Sequence, residues 1–127
     1  MISNQILQTS IDGIKSITKT DIWVLDEEGQ EIAATRQSRD ISHSDILSFA
    51  KSQADSQEIQ GYQFFKVVDD GRLEYILAVS SEGPDAYMVG RMAVFQIESL
   101  LEAYKERFDN DSFIKNLILD NMLLVDI

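Results

Sequence analysis

The sequence contains no cysteine, a single proline, a single histidine and only eleven basic residues against twenty-two acidic ones. Each shortage excludes something. Without cysteine there is neither a disulfide framework nor a thiolate for metal binding or nucleophilic attack, and a reducing cytoplasm is the expected compartment. With a formal charge of −11 and no cluster of Lys or Arg, the surface repels phosphate backbones, so direct binding of nucleic acid is not expected. No apolar run approaches the about 18 residues needed to cross a bilayer, and MISNQILQTS at the N-terminus lacks the basic start of a secretion signal. Catalytic signatures are missing as well. There is no GxSxG elbow, P-loop, dinucleotide fingerprint or HExxH, and one histidine cannot build a relay. The chain therefore reads as non-enzymatic and without a cofactor.

What is present is a pattern of alternating helical and extended segments. Ile2, Ile6, Leu7, Ile11, Ile14 and Ile17 recur at helical spacing and predict an amphipathic helix over residues 2–18. DIWVL and EIAAT flank the turn-rich DEEGQ and predict strands at 22–25 and 31–35. Ser42 and Ser44 offer N-caps for a short helix over about residues 43–52. SQADSQ reads as a polar connector. YQFFKVV, the DDG turn at 69–71 and RLEYILAVS form the clearest hairpin, with both strands expected to be central. After the EGP break at 82–84, AYMV suggests a fifth short strand. A long helix then runs from about Arg91 to Phe108, its inward arc formed by Ala93, Ile97, Leu100, Leu101, Tyr104 and Phe108.

This order predicts an α+β fold: an antiparallel sheet of about five strands with helices packed on one face, as in PAS, GAF and profilin-like modules, plus a C-terminal helix pair. Residues 1–108 form the domain and residues 109–127 a connector helix. In DNDS, at 109–112, two alternating oxygen ligands resemble the start of a calcium loop. The glycine and terminal glutamate of such a loop are missing, so the stretch reads as a helix cap and no metal is expected. The aromatic residues Trp23, Tyr62, Phe64, Phe65, Tyr75 and Tyr87 read as packing, with polar tips that could line a small pocket.

Two features suggest function. Arg36 and Arg39 flank the end of the second strand just before a helix start. There, guanidinium forks and backbone amides could hold a small carboxylate, with His43 nearby and Arg91 as a more distant candidate. The closing stretch FIKNLILDNMLLVDI is apolar on two sides. Phe113, Leu117, Ile118, Met122 and Val125 fill a broad arc suited to packing on the domain, and Asn121 sits inside it. Leu119, Leu123 and Ile127 form a second seam that needs another partner, and a homodimer is the expected one. With no glycine, proline or polar tail closing it, this helix is expected to continue into a further segment of a longer chain.

The chain as a whole resembles the N-terminal region of CdaR/PucR-like bacterial transcription regulators. The resemblance lies in the opening helix with DIWVLDEEGQEIAAT, in DSQEIQGYQFFKVVDDGRLEYIL, and in RFDNDSFIKNLILDNMLLVDI. SRDISH carries Arg39, Ile41 and His43 where diacid-recognition domains have an arginine, isoleucine and glycine followed by a histidine; the glycine is absent. The resemblance implies a cytoplasmic sensor for a small molecule such as a sugar acid, signalling through its terminal helices to a separate DNA-binding domain. The alternative from another class is a roadblock- or longin-like adaptor that works by protein contact alone. It predicts a filled core, an apolar outer face and a stable dimer indifferent to metabolites.

Overall fold

The computed structural model describes residues 2–37 and 40–105. Helix α1 spans Asn4–Thr18. Ser3 caps it by accepting the Ile6 N–H at 3.2 Å. Ile2 and Leu7, on either side of the cap, enter the same buried cluster, as a hydrophobic staple does. Lys19 closes the helix in the left-handed conformation, its N–H bonding to the Lys15 carbonyl, which satisfies one of the orphan acceptors at the helix end. Strands β1 (Ile22–Leu25) and β2 (Glu31–Ala34) follow, joined by a turn in which Asp26 Oδ1 accepts the N–H groups of Glu28 and Gln30. Helix α2 covers His43–Lys51; Ser42 stands at its cap, but the hydroxyl meets that of Ser44 instead of a helix amide.

Strands β3 (Ser56–Ile59), β4 (Tyr62–Asp69) and β5 (Arg72–Ser80) form a meander. Gln60–Gly61 and Asp70–Gly71 close its two hairpins with positive φ at both central residues, the geometry whose twist matches that of the flanking strands. Helix α3 occupies residues 86–105. The five strands are antiparallel in the order β2-β1-β5-β4-β3.

Two expectations change in detail. AYMV is not a strand but the first turn of α3, because Ala86 and Val89 continue the inward line of Ala93, Ile97 and Leu101. The fifth strand is instead drawn from the polar connector: Ser56–Ile59 pairs with Tyr62–Phe65 and forms the sheet's outer edge.

Helices also cover both faces of the sheet, not one. Leu7, Ile11, Ile22, Val24, Phe65, Val67, Leu77, Val79, Ala93 and Ile97 pack together on the α1/α3 side. Trp23, Leu25, Ile46, Phe49, Phe64, Ile76 and Ala78 pack on the α2 side. Every residue of β1, and every residue from Tyr75 to Ser80, is buried, as double coverage of a sheet requires. At the β2 edge the Gln8 side chain acts as a strand, donating to the Ala34 carbonyl at 2.7 Å and accepting its N–H at 3.2 Å. Covering an edge in this way removes a template for unwanted pairing. The predicted connector helix at 109–127 lies outside the described residues.

Candidate interaction face and the predicted ligand residues

Of the four residues expected to hold a carboxylate, three are described. Arg36, just after β2, lies 3.4 Å from Asp21 Oδ2 and stacks 5.4 Å over the Trp23 ring. The opposite Asp21 oxygen accepts from Lys15 Nζ at 2.6 Å and from the Thr35 hydroxyl at 2.9 Å. His43 opens α2 at the surface, its ring so close to Gly29 that a Cβ there would sit 3.1 Å from Cε1 and Nδ1. Arg91 lies on α3, donating to Tyr87 Oη at 2.9 Å and stacking over Phe65 and Tyr87. Arg39 lies outside the described residues.

Trp23 belongs to the α2 side of the sheet and Phe65 to the α1/α3 side, so the sheet separates the cations stacked on them. The cleft of about 210 Å³ that includes Arg36 is also lined by Asp40 and Glu82. Their carboxylates oppose the binding of an anion. Tyr62 closes the floor of the cleft with a hydroxyl that donates to Asp40; burial and then this bond raise the phenol above its ordinary pKa.

Asp21 joins the end of α1, the start of β1 and the residue after β2. Burial alone would raise its pKa. The hydrogen bonds from Lys15 and Thr35, together with the charges of Lys15 and Arg36, outweigh burial and hold the carboxyl below its usual value. Because the folded-state pKa is depressed, this stabilisation is complete above the unfolded value of about 4 and is lost as pH falls through the lower folded value. Asp21→Asn should therefore cost about 1 kcal/mol at neutral pH. In urea titrations at a series of pH values, the gap between parent and variant should close below about pH 4.

The largest departure from an ordinary surface lies on α3. At about 100° per residue, its side opposite the core carries Met88, Met92, Phe95 and Ser99, spaced by four, three and four residues. Phe95 is 73% exposed, Met88 62% and Met92 48%. Ile17, 82% exposed at the end of α1, faces the same groove of about 490 Å³, together with Pro84, Val89, Met88 and Met92. Isolated exposed apolar residues are normal, but a line of them along one helix marks a contact surface.

Helix α3 is fixed firmly enough to present that line. Gly90 lets it approach Phe65, Glu98 accepts the Val68 N–H freed by the irregularity in β4, and Lys105 bonds Asp69 and Asp70 at the hairpin tip. Sequence reading missed this face because assigning AYMV to a strand removed Met88 from the helix. The signal was the spacing of Met88, Met92 and Phe95. The expected dimer seam of Leu119, Leu123 and Ile127 lies outside the described residues.

No helix among the described residues is long and apolar enough to cross a membrane. No family model and no curated protein matches the chain. Among solved structures it is similar to MglB of Myxococcus xanthus, with a TM-score of 0.53 and 14% identity over 81% of this chain and 94% of that one. At that identity the likeness is one of fold alone, an α+β architecture built on an antiparallel five-stranded sheet.

Proposed function

We propose that the chain is a protein-interaction adaptor module of the roadblock/longin type, homodimeric, working by contact between helices and not through a metabolite. The observation that carries this reading is the apolar outer line of α3, a helix whose opposite side is already buried in the core. The likeness in fold to MglB supports it, as does the dense filling of both sheet faces by Trp23, Phe49, Phe64, Phe65 and their neighbours. The separation of Arg36 from Arg91 gives no support to a shared carboxylate cradle. A sensor of the CdaR/PucR type rests on sequence resemblance.

Light scattering and thermal melts test the proposal. The parent chain should have the mass of two chains. Leu119→Glu/Leu123→Glu and, separately, Phe95→Glu should each reduce it to one, with the fold retained. Sugar acids and dicarboxylates should leave the melting temperature unchanged. A single-chain mass for the parent, or a melting temperature raised by any of those acids, overturns the proposal.

A further inference from the structure

We infer that the groove between the end of α1 and the start of α3 docks a basic amphipathic helix of a different protein. The inference rests on the adaptor reading and deepens it, naming the chemistry of the partner that the module binds beside its second copy. The groove begins where the apolar stripe of α1 outruns the core. Leu7 and Ile11 are buried and Ile14 packs against them half-buried, but Ile17 is 82% exposed. Across from Ile17, Met88, Val89 and Met92 of α3, together with Pro84, complete the apolar lining of a space of about 490 Å³. Methionine side chains are unbranched and polarizable, so they adjust to the shape of an incoming apolar group. A docked helix offers such groups three and four residues apart along one side.

Charge identifies the occupant. Glu82 and Asp85 stand exposed at the groove, and among the described residues neither has an ion-pair partner. Asp21, also in the lining, is already matched by Lys15 and Arg36. Among the described residues Lys19 is the one cation that lines the groove, so two unpaired carboxylates face one ammonium in a protein of net charge −11. A second copy fits poorly, because a two-fold contact through this groove would bring the Glu82 and Asp85 of both copies into one interface. Nor does any stretch of this sequence gather the Lys or Arg needed to answer them. A foreign helix with apolar anchors flanked by Lys or Arg answers both the lining and the rim.

The groove and the dimer contact are separable on α3. At about 100° per residue, Val89 and Phe95 point about 120° apart around the helix, with Met88 and Met92 between them. Phe95 does not line the groove. The flank turned towards α1 is therefore open to a partner while Phe95 meets the second copy.

Fluorescence anisotropy on the full chain tests the inference, with a labelled helical peptide of about fourteen residues that carries leucines along one side and lysines along the other. The parent should bind it with a Kd of about 10 μM at physiological salt, and several-fold more weakly at about 0.5 M salt, where ion pairs are screened. The same peptide with glutamate for lysine, and one with its leucines scrambled off the helical spacing, should each bind at least about tenfold more weakly. Ile17→Ser should weaken binding about tenfold through lost apolar contact, and Glu82→Gln/Asp85→Asn about fivefold through lost ion pairs. No binding of the basic peptide to the parent overturns the inference without recourse to any variant, and so does equal binding of the scrambled peptide. A mass reduced to one chain by Ile17→Ser also overturns it, and assigns the groove to the second copy. Light scattering on the same samples keeps the two readings apart. A two-chain parent that does not bind the peptide overturns this inference alone, whereas a single-chain parent that binds it overturns the homodimer and upholds the groove.

Discussion

Gly90→Ala is expected to destabilise the domain by about 3 kcal/mol, near the upper end of the ordinary cost of forcing extra atoms into a packed core. A Cβ at this position would stand 2.0 Å from Phe65 Cε2 and 2.3 Å from Cζ, so the helix must lift or the ring must move. The ring has little room. It is fully buried, and the Tyr87 ring and the Arg91 guanidinium lie against it. Lifting α3 would also loosen Ala93 and Ile97 from β4 and β5. In a domain with a total stability of about 5 to 15 kcal/mol, the loss should lower the melting temperature by roughly 10 °C. The cause can be isolated with a second change. Phe65→Leu removes the atoms that the new methyl meets, so Gly90→Ala/Phe65→Leu should be less destabilised than the sum of the two single variants. Additive losses in urea titrations would mean that the helix, not the ring contact, sets the cost.

The second large effect concerns Trp23, the only tryptophan. Its side chain is fully buried between β1 and α2, edge-on to Tyr62 at 5.5 Å and beneath Arg36. Trp23→Ala should cost about 4 kcal/mol through lost burial and the remaining cavity. The indole N–H has no hydrogen-bond partner among the described residues. Trp23→Phe should cost only about 1 kcal/mol, because removing that N–H relieves an unmet desolvation. Circular dichroism melts suit both variants, since each loses the fluorescent probe. Equal losses in the two would mean that the N–H holds a structural partner.

The two faces of the domain thus have different roles. On the α2 side, aromatic rings fill the space beneath a short helix, and the polar groups at its rim are paired with one another. On the α1/α3 side, the core is equally full, but apolar side chains continue outward past the helix. The adaptor reading follows from this asymmetry.

The local elements were legible in the sequence because their causes are local. Isoleucine spacing determined α1, the Asp70–Gly71 turn set the β4–β5 hairpin, and IWVL and YILAV contained enough β-formers to mark the two central strands. The unbroken apolarity of IWVL also showed that both sides of β1 are covered, a signal that the one-faced reading overlooked. Local patterning could not identify Ser56–Ile59 as a strand. Its residues are largely polar and, among the described residues, it pairs only with β4, so tertiary context selects the extended state for this edge segment.

The candidate site divides in the same way. Arginine positions and apolar spacing can be read along the chain, but not which face of the sheet each arginine reaches or what already neutralises it. Arg36 is held by Asp21 and Trp23 across the β1–β2 hairpin, and Arg91 by Tyr87 one turn earlier on α3 and by Phe65 of β4, against which the helix packs. Sequence alone therefore determined the charge and those elements whose causes are local, α1, α2, the β1–β2 pair and the β4–β5 hairpin. Tertiary structure decided which surface remained uncovered, because exposure depends on what packs opposite a residue and is not a property of the residue itself.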